Sequence, residues 1–123
     1  MCALVSGAVV SRMDKLFVFR SGFDDGGTTY FCPFSAQVIG FLAYYPEVKD
    51  SLEIIELDFP KPRHPLFDVL GETHQAAPML VLAGTPTPVP RVTIAEANGH
   101  SYVEKTIEIL RYLAATRSVP GPH

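Results

Sequence analysis

The residues with the clearest chemical potential are Cys32-Pro33-Phe34-Ser35, at the start of a predicted helix. Pro33 suits the first turn of a helix, where its missing N–H costs nothing. A cysteine at this position faces unpaired backbone N–H groups and the positive end of the helix dipole. Both favour the thiolate, which is the nucleophile in disulfide exchange. The motif therefore predicts a reactive thiol at Cys32.

Ser35 follows Cys32 by about one helical turn. Its hydroxyl can donate a hydrogen bond to the sulfur, but it cannot attack a mixed disulfide as a second cysteine would. An outside thiol would have to release any adduct, and glutathione is the obvious thiol of a cytosol. We therefore predict Cys32 as the nucleophile and Ser35 as its hydrogen-bond partner.

A structural alternative stays open for the same cysteine. Free cysteines are among the most buried residues of folded proteins. Tyr30, Phe31 and Phe34 lie close to Cys32 in the sequence. In this alternative the three rings bury an inert thiol.

No metal site is predicted. Asp24 and Asp25 stand in a glycine-rich stretch and are explained by turn chemistry, since no other ligands have suitable spacing. Lys61 and Arg63 are expected to be solvated. The four histidines show no metal-ligand spacing and are expected at the surface: His64, His74, His100 and His123.

Composition narrows the classes of partner. The 123 residues are 47% hydrophobic and suit one packed domain. A net charge of −3 makes nucleic acid a poor partner. No apolar run approaches the roughly 18 residues that a membrane span needs, so no membrane association is expected. Cys2 and Cys32 do not make a disulfide framework, and Met1–Val10 is short for a secretory signal, so the cytoplasm is the expected compartment.

Three segments are predicted along the chain. Residues 1–12 show no helical or strand period and are expected to form a loose N-terminal extension. Residues 13–117 are expected to form the domain. Residues 118–123 are a tail rich in proline and glycine.

Short apolar runs predict the strands. Residues 21–29 contain three glycines and two aspartates and are predicted to be a loop. Asn98-Gly99 is a strong hairpin signal, and Val92-Thr93-Ile94 is a further candidate for extended structure before it. The predicted strands are Leu16–Phe19, Leu52–Leu57, Met79–Leu82 and His100–Val103.

Three helices are predicted between the strands. The first begins at Pro33, ends before Pro46 and buries Val38, Phe41, Leu42 and Tyr45 at helical spacing. Gly40 lies inside it at a cost of about 1 kcal/mol against alanine, which close packing on a sheet would explain. A short helix is predicted to begin at His64 or Pro65, to run through Leu70 and to end at Gly71. The last spans about 105–116 and is expected to face the core with Ile107, Leu110, Leu113 and Ala114.

The resulting order, β-α-β-α-β-β-α, predicts an α/β domain with a mixed four-stranded sheet flanked by helices. This order resembles the thioredoxin-like superfamily over roughly residues 15–116. Cys32-Pro33-Phe34-Ser35 looks like the active-site motif of monothiol glutaredoxins. Ala77-Pro78 stands where the superfamily has its cis-proline. Residues 105–114 are similar to the last helix of glutathione transferase N-terminal domains.

The resemblance implies a monothiol, glutathione-linked thiol-disulfide oxidoreductase. Glutathione would be the co-substrate, no resident cofactor is implied, and the partner would be glutathione or a protein thiol. A shallow anion-binding groove beside Cys32 is expected, with a monomer or weak dimer as the assembly. The expected binding residues are Phe34, Ala77, Pro78, Lys105 and Thr106.

This chain departs from those families at identifiable positions. Lys105 replaces an acid or amide of the transferase helix, and Thr106 replaces its serine. Residues 21–31 lengthen the connection before Cys32 relative to glutaredoxins. The chain also looks like a small bacterial family of this fold that has no established activity, whose members commonly carry a second cysteine at the position of Ser35.

Two other functions stay open. In one, the chain is a non-catalytic thioredoxin-like binding module whose contact surface is formed by the loop 21–29 and the aromatic residues around Cys32. In the other, it is an iron–sulfur carrier in which Cys32 and glutathione are ligands in a dimer.

Overall fold

The computed structural model describes residues 13–123. The extension predicted over residues 1–12 lies outside the described residues. In the described part the strands are β1 (Asp14–Phe19), β2 (Phe23–Asp25), β3 (Thr28–Tyr30), β4 (Leu52–Leu57), β5 (Met79–Leu82), β6 (Ala95–Ala97) and β7 (His100–Val103). The helices are α1 (Pro33–Tyr44), α2 (Pro46–Asp50), α3 (Leu66–Leu70) and α4 (Thr106–Arg117).

The central sheet is mixed and has five strands in the order β4-β1-β5-β7-β6. β1 is parallel to β4 and antiparallel to β5. The prediction of four strands is therefore wrong by one. The additional strand is β6, which pairs with β7 across the predicted Asn98-Gly99 turn. It lies at Ala95–Ala97, just after the Val92–Ile94 stretch that the sequence suggested.

The segment predicted as a loop before Cys32 contains the hairpin of β2 and β3. Gly26 and Gly27 have φ values of 63° and 88°, and positive values at both central residues are what a tight hairpin turn of this hand requires. The ring of Phe23 stacks on that of Phe59, with centroids 4.5 Å apart. This contact attaches the hairpin to the segment that follows β4.

Helices flank both faces of the sheet, as predicted. Along β1, Leu16 and Val18 face one way and Phe17 faces the other, because successive strand residues point to opposite faces. The first face packs on α1, α2 and α4 through residues such as Val38 and Ile109. The second packs on α3, which ends at Gly71 as predicted.

Several helix positions differ from the prediction. Pro46 ends α1 but also begins α2, because proline is well tolerated in a first turn. Ile107 is 41% exposed, since the buried face of α4 is formed by Ile109, Tyr112 and their neighbours. Gly40 does not pack on the sheet: it is exposed, and a Cβ placed there would meet nothing within 4 Å.

A charged cluster holds the start of β1. Asp14 accepts a hydrogen bond from the Ala83 N–H at 2.7 Å and pairs with the Arg117 guanidinium at 3.0 Å. Arg117 also donates to the Ser51 hydroxyl at 3.0 Å. The cluster thus joins β1 to the residue after β5, the end of α4 and the residue before β4. Among the described residues, none of the helices has the length and apolarity needed to cross a membrane.

We expect Asp14→Ala to destabilise the protein strongly. The side chains of Asp14 and Arg117 are only 13% and 16% exposed, so the substitution leaves a poorly solvated guanidinium without its partner. The expected loss is about 3 kcal/mol, which lowers the thermal midpoint by about 10–15 °C at this chain length. Thermal unfolding followed by circular dichroism measures it.

Arg20→Ala is the matched control. Arg20 pairs with Glu56 at 2.8 Å, but both side chains are 54% exposed. Exposed pairs contribute about 1 kcal/mol or less, so the midpoint should move by only a few degrees. Equal losses in the two variants would contradict the role given to the Asp14 cluster.

Candidate functional site

Cys32 is the N-cap residue of α1, and Pro33 is the first residue of the helix. Its sulfur accepts a hydrogen bond from the Ser35 backbone N–H at 3.4 Å. This N–H is one of the donors that a helix start leaves without an internal partner. Cys32 is partly exposed. The sequence therefore folds so that a solvent-accessible sulfur replaces the usual oxygen of a helix cap.

Ser35 is only 4% exposed. Its hydroxyl oxygen accepts a hydrogen bond from the Phe19 N–H, the last residue of β1, at 3.1 Å. The donor to the Cys32 sulfur is thus the backbone N–H of Ser35, whereas the sequence suggested the hydroxyl. The hydroxyl instead connects α1 to β1 and so fixes the position of Cys32 relative to the sheet.

Cys32 and Ser35 line a pocket of about 270 Å³. Its walls include the end of β1, Ile39 of α1 and Glu56 of β4. The aromatic neighbours do not bury the thiol: Phe31 is 60% exposed and Phe34 is 56% exposed. Cys32 is therefore only partly buried, and these rings do not enclose it; the reactivity of its thiol stays a prediction.

A second concavity of about 450 Å³ lies on the other side of the α1 start. It brings together all five predicted binding residues: Phe34, Ala77, Pro78, Lys105 and Thr106. We call it the groove. The peptide bond between Ala77 and Pro78 is cis. Cys32 and Ser35 line the neighbouring pocket, whereas Phe34 and Gln37, from the same two turns of α1, line the groove.

The N-terminus of α4 forms one wall of the groove. Lys105 is its N-cap residue, and no side chain caps the helix. Thr106 is the first helical residue and lines the groove, so this end presents backbone N–H groups, a hydroxyl and the lysine charge. Glu104 lines the groove as well and opposes that charge. Sequence reasoning missed Glu104, Gln37 and the exposed side chain of Ile107.

Arg63 is not solvated as predicted. Its guanidinium carbon lies 4.7 Å from the ring centroid of Phe19 and 4.8 Å from that of Phe59. The guanidinium donates to the carbonyl oxygens of Phe59 and Gln75 at 2.6 and 2.9 Å. Burial lowers the pKa of the Arg63 guanidinium from its ordinary value. Arg63 therefore holds the end of β1 against the segment that leads to the groove.

Gln75 is a further residue that sequence reasoning missed. It is buried, its amide oxygen accepts from the Arg63 backbone N–H at 2.6 Å, and its amide nitrogen donates to the Glu72 carbonyl at 2.8 Å. Two residues later comes Ala77, so these bonds fix the backbone that enters the groove. Its burial has no local signal in the sequence, because glutamine is usually exposed.

Two of the four histidines have local partners, and one of these, His74, is half-buried where the sequence predicted a surface position. His64 pairs with Asp68 at 2.7 Å, and His74 packs edge-on against Tyr102. Within residues 13–123 no group of three histidine, cysteine, aspartate or glutamate side chains is arranged to hold a metal ion.

The chain belongs to the protein family described as Protein of unknown function (DUF3088), which it matches over residues 13–121. The matched range includes every strand and helix from β1 to α4. Neither the curated proteins nor the solved structures gave a match to the chain. The function is therefore argued from the site.

We expect Ser35→Ala to reduce stability without slowing the alkylation of Cys32. The substitution leaves the partly buried Phe19 N–H without its acceptor, which costs about 1 kcal/mol. The backbone N–H that donates to the sulfur remains. In a Cys2→Ser background, the rate of reaction with iodoacetamide should therefore stay within about twofold of the parent.

Ser21→Ala is the control, because Ser21 lines the same pocket but is exposed. Ser21→Ala should change neither the stability of the protein nor the alkylation rate of Cys32. A large fall in the alkylation rate of Ser35→Ala, with unchanged stability, would show that the hydroxyl acts on the sulfur after all.

Proposed function

We propose that this protein is a glutathione-linked, monothiol thiol-disulfide oxidoreductase with a thioredoxin-like arrangement. The observation that carries the proposal is a partly exposed cysteine at the N-cap of α1, whose sulfur receives a backbone hydrogen bond. A helix start favours the thiolate form of a cysteine placed there. That form is the attacking species in disulfide exchange.

The proposed exchange needs one cysteine, one glutathione disulfide and one free glutathione. The Cys32 thiolate attacks a sulfur of glutathione disulfide; a bond forms between Cys32 and one glutathione, and the other glutathione leaves as its thiolate. In the return step the thiolate of a free glutathione attacks the glutathione sulfur of the adduct. Glutathione disulfide forms, and the Cys32 thiolate is released. A mixed disulfide between another protein and glutathione can replace glutathione disulfide in the first step. The other protein then leaves as its thiolate.

The residue one turn after Cys32 supports the monothiol form. Cys32 is the only cysteine of residues 13–123. The residue one turn along is Ser35, whose oxygen already accepts from the Phe19 N–H. In this proposal a thiol from solution releases the adduct on Cys32, and glutathione supplies that thiol.

Three features support the thioredoxin-like arrangement. β1 lies between a parallel neighbour, β4, and an antiparallel one, β5. Cys32 begins the first long helix after β1. Ala77-Pro78 directly precedes β5 and lines the groove. The hairpin of β2 and β3 is an addition between β1 and that helix.

The groove supports glutathione as the thiol. Ala77 lies outside the pairing registers of β5, so its peptide groups are not used in the sheet and are placed to pair with an extended ligand. The uncapped N-terminus of α4 suits a carboxylate, with Lys105 adding a positive charge. Phe34, at the edge of the groove, connects it to the segment that carries Cys32.

A non-catalytic binding module is the second candidate. Tyr30, Phe31 and Phe34 are large and between 48% and 60% exposed. Exposed aromatic side chains that stand together are typical of contact surfaces. In that function Cys32 takes no part.

We expect intact mass spectrometry to separate these two functions. Folded protein incubated with glutathione disulfide should gain the mass of one glutathione in a Cys2→Ser background, because Cys32 is partly exposed and a cysteine thiolate attacks disulfides. Excess reduced glutathione should remove the adduct. Cys32→Ser, made in the same background, is the control and should gain nothing. A folded protein that stays unmodified would contradict the oxidoreductase and favour the binding module.

A further inference from the structure

The pocket that Cys32 lines is smaller than the groove on the other side of the α1 start. Its volume is about 270 Å³, whereas sites for small molecules usually have about 300 to 1,000 Å³. The groove, with about 450 Å³, lies within that range. The two concavities therefore suit occupants of different size, a tripeptide such as glutathione in the groove and a single side chain in the pocket.

The walls of the pocket are mainly apolar. The apolar residues that line it include Val18, Phe31, Ala36 and Ile39. Phe31 and Ile39 are exposed although they are large and apolar. An apolar side chain placed against them removes their surface from water, which is favourable. A charged side chain would lose its hydration at the same walls without a partner in return.

An exposed surface continues from the pocket to the hairpin of β2 and β3. Phe31 and Ser21 line the pocket, and both also line a shallow depression that Tyr30, Thr29 and Pro33 complete. A polypeptide can place one side chain in the pocket and lie across the hairpin, whereas a small molecule in the pocket would leave the hairpin uncovered. The continuity of the two surfaces therefore favours a polypeptide as the occupant.

Carboxylates predominate around this surface. The charged residues that line the pocket and the depression between the hairpin and the segment after β4 are Glu56, Asp24, Asp58 and Arg20. Arg20 pairs with Glu56 at 2.8 Å and with Asp58 at 3.1 Å, so one guanidinium faces three carboxylates. Glutathione is itself an anion at neutral pH. This side of Cys32 therefore disfavours glutathione and favours a basic partner.

We infer that the disulfide substrate of this protein is a glutathionylated protein cysteine, flanked by an apolar residue and then by a basic one. The inference rests on the proposed function. Glutathione lies in the groove, the apolar side chain fills the pocket, and the basic residue lies near Glu56 and Asp58. The Cys32 thiolate attacks the glutathione sulfur, the bond from that sulfur to the substrate cysteine breaks, and the substrate protein leaves as its thiolate.

Three glutathionylated peptides test the inference, with the full chain in a Cys2→Ser background. The first has leucine on both sides of its cysteine and lysine beyond each leucine; the second has serine for leucine, and the third has glutamate for lysine. Reduced glutathione is in excess, and kcat/KM is divided by the uncatalysed rate for each peptide. The ratio should be at least about tenfold higher for the first peptide than for the second, because leucine is buried. It should also exceed the third severalfold, and about 0.5 M salt should remove that difference.

Ile39→Glu places a carboxylate in the pocket and should remove the preference for leucine. Ile39 is 43% exposed, so its substitution leaves the core intact. Ala43→Glu is the matched control, because Ala43 is exposed one turn further along α1 and lies outside the pocket. It should keep the preference for leucine.

Two results would overturn the inference and leave the proposed exchange standing. One is an equal ratio for the leucine and serine peptides, and the other is a preference for leucine that Ile39→Glu leaves in place. A Cys32 that takes glutathione from neither the peptides nor glutathione disulfide would instead overturn the proposed function, and the inference with it.

Discussion

One partly buried hydrogen bond determines where Cys32 lies. The Ser35 hydroxyl accepts the N–H of Phe19, and this joins the first turn of α1 to the last residue of β1. With the helix fixed there, the backbone N–H of Ser35 points at the Cys32 sulfur. The Ser35 side chain thus joins the helix to the strand as an apolar side chain could not, because a partly buried N–H without an acceptor is costly.

The groove depends on a second set of polar contacts. Arg63 lies against the ring of Phe19 and donates to the backbone of Gln75, while the Gln75 side chain accepts from Arg63 in return. Ala77-Pro78 begins two residues later and lines the groove. Phe19 therefore takes part in both arrangements, since its N–H holds α1 and its ring holds Arg63. The pocket at Cys32 and the groove are positioned from the same end of β1.

How far the sequence predicted this structure depends on how local each signal was. Met79–Leu82 was predicted with its observed bounds, because four apolar residues between breakers are a local pattern. The hairpin at Gly26-Gly27 was missed, although two glycines in this setting are a hairpin signal, because the contact that holds it is between Phe23 and the distant Phe59. The sequence predicts a solvated Arg63, because two of its partners, Phe19 and Gln75, are distant in sequence. The groove residues were predicted from a resemblance, which spacing alone could not have supplied.

The central claim is that the thiol of Cys32 and the groove act on the same ligand. Intermolecular nuclear Overhauser effects in the Cys32–glutathione mixed disulfide, with isotope-labelled protein and unlabelled glutathione, test it most directly. We expect the backbone of glutathione to contact Ala77 and the γ-glutamyl end of glutathione to contact Thr106. Contacts confined to Phe31 and Ile39, on the pocket side of Cys32, would contradict it.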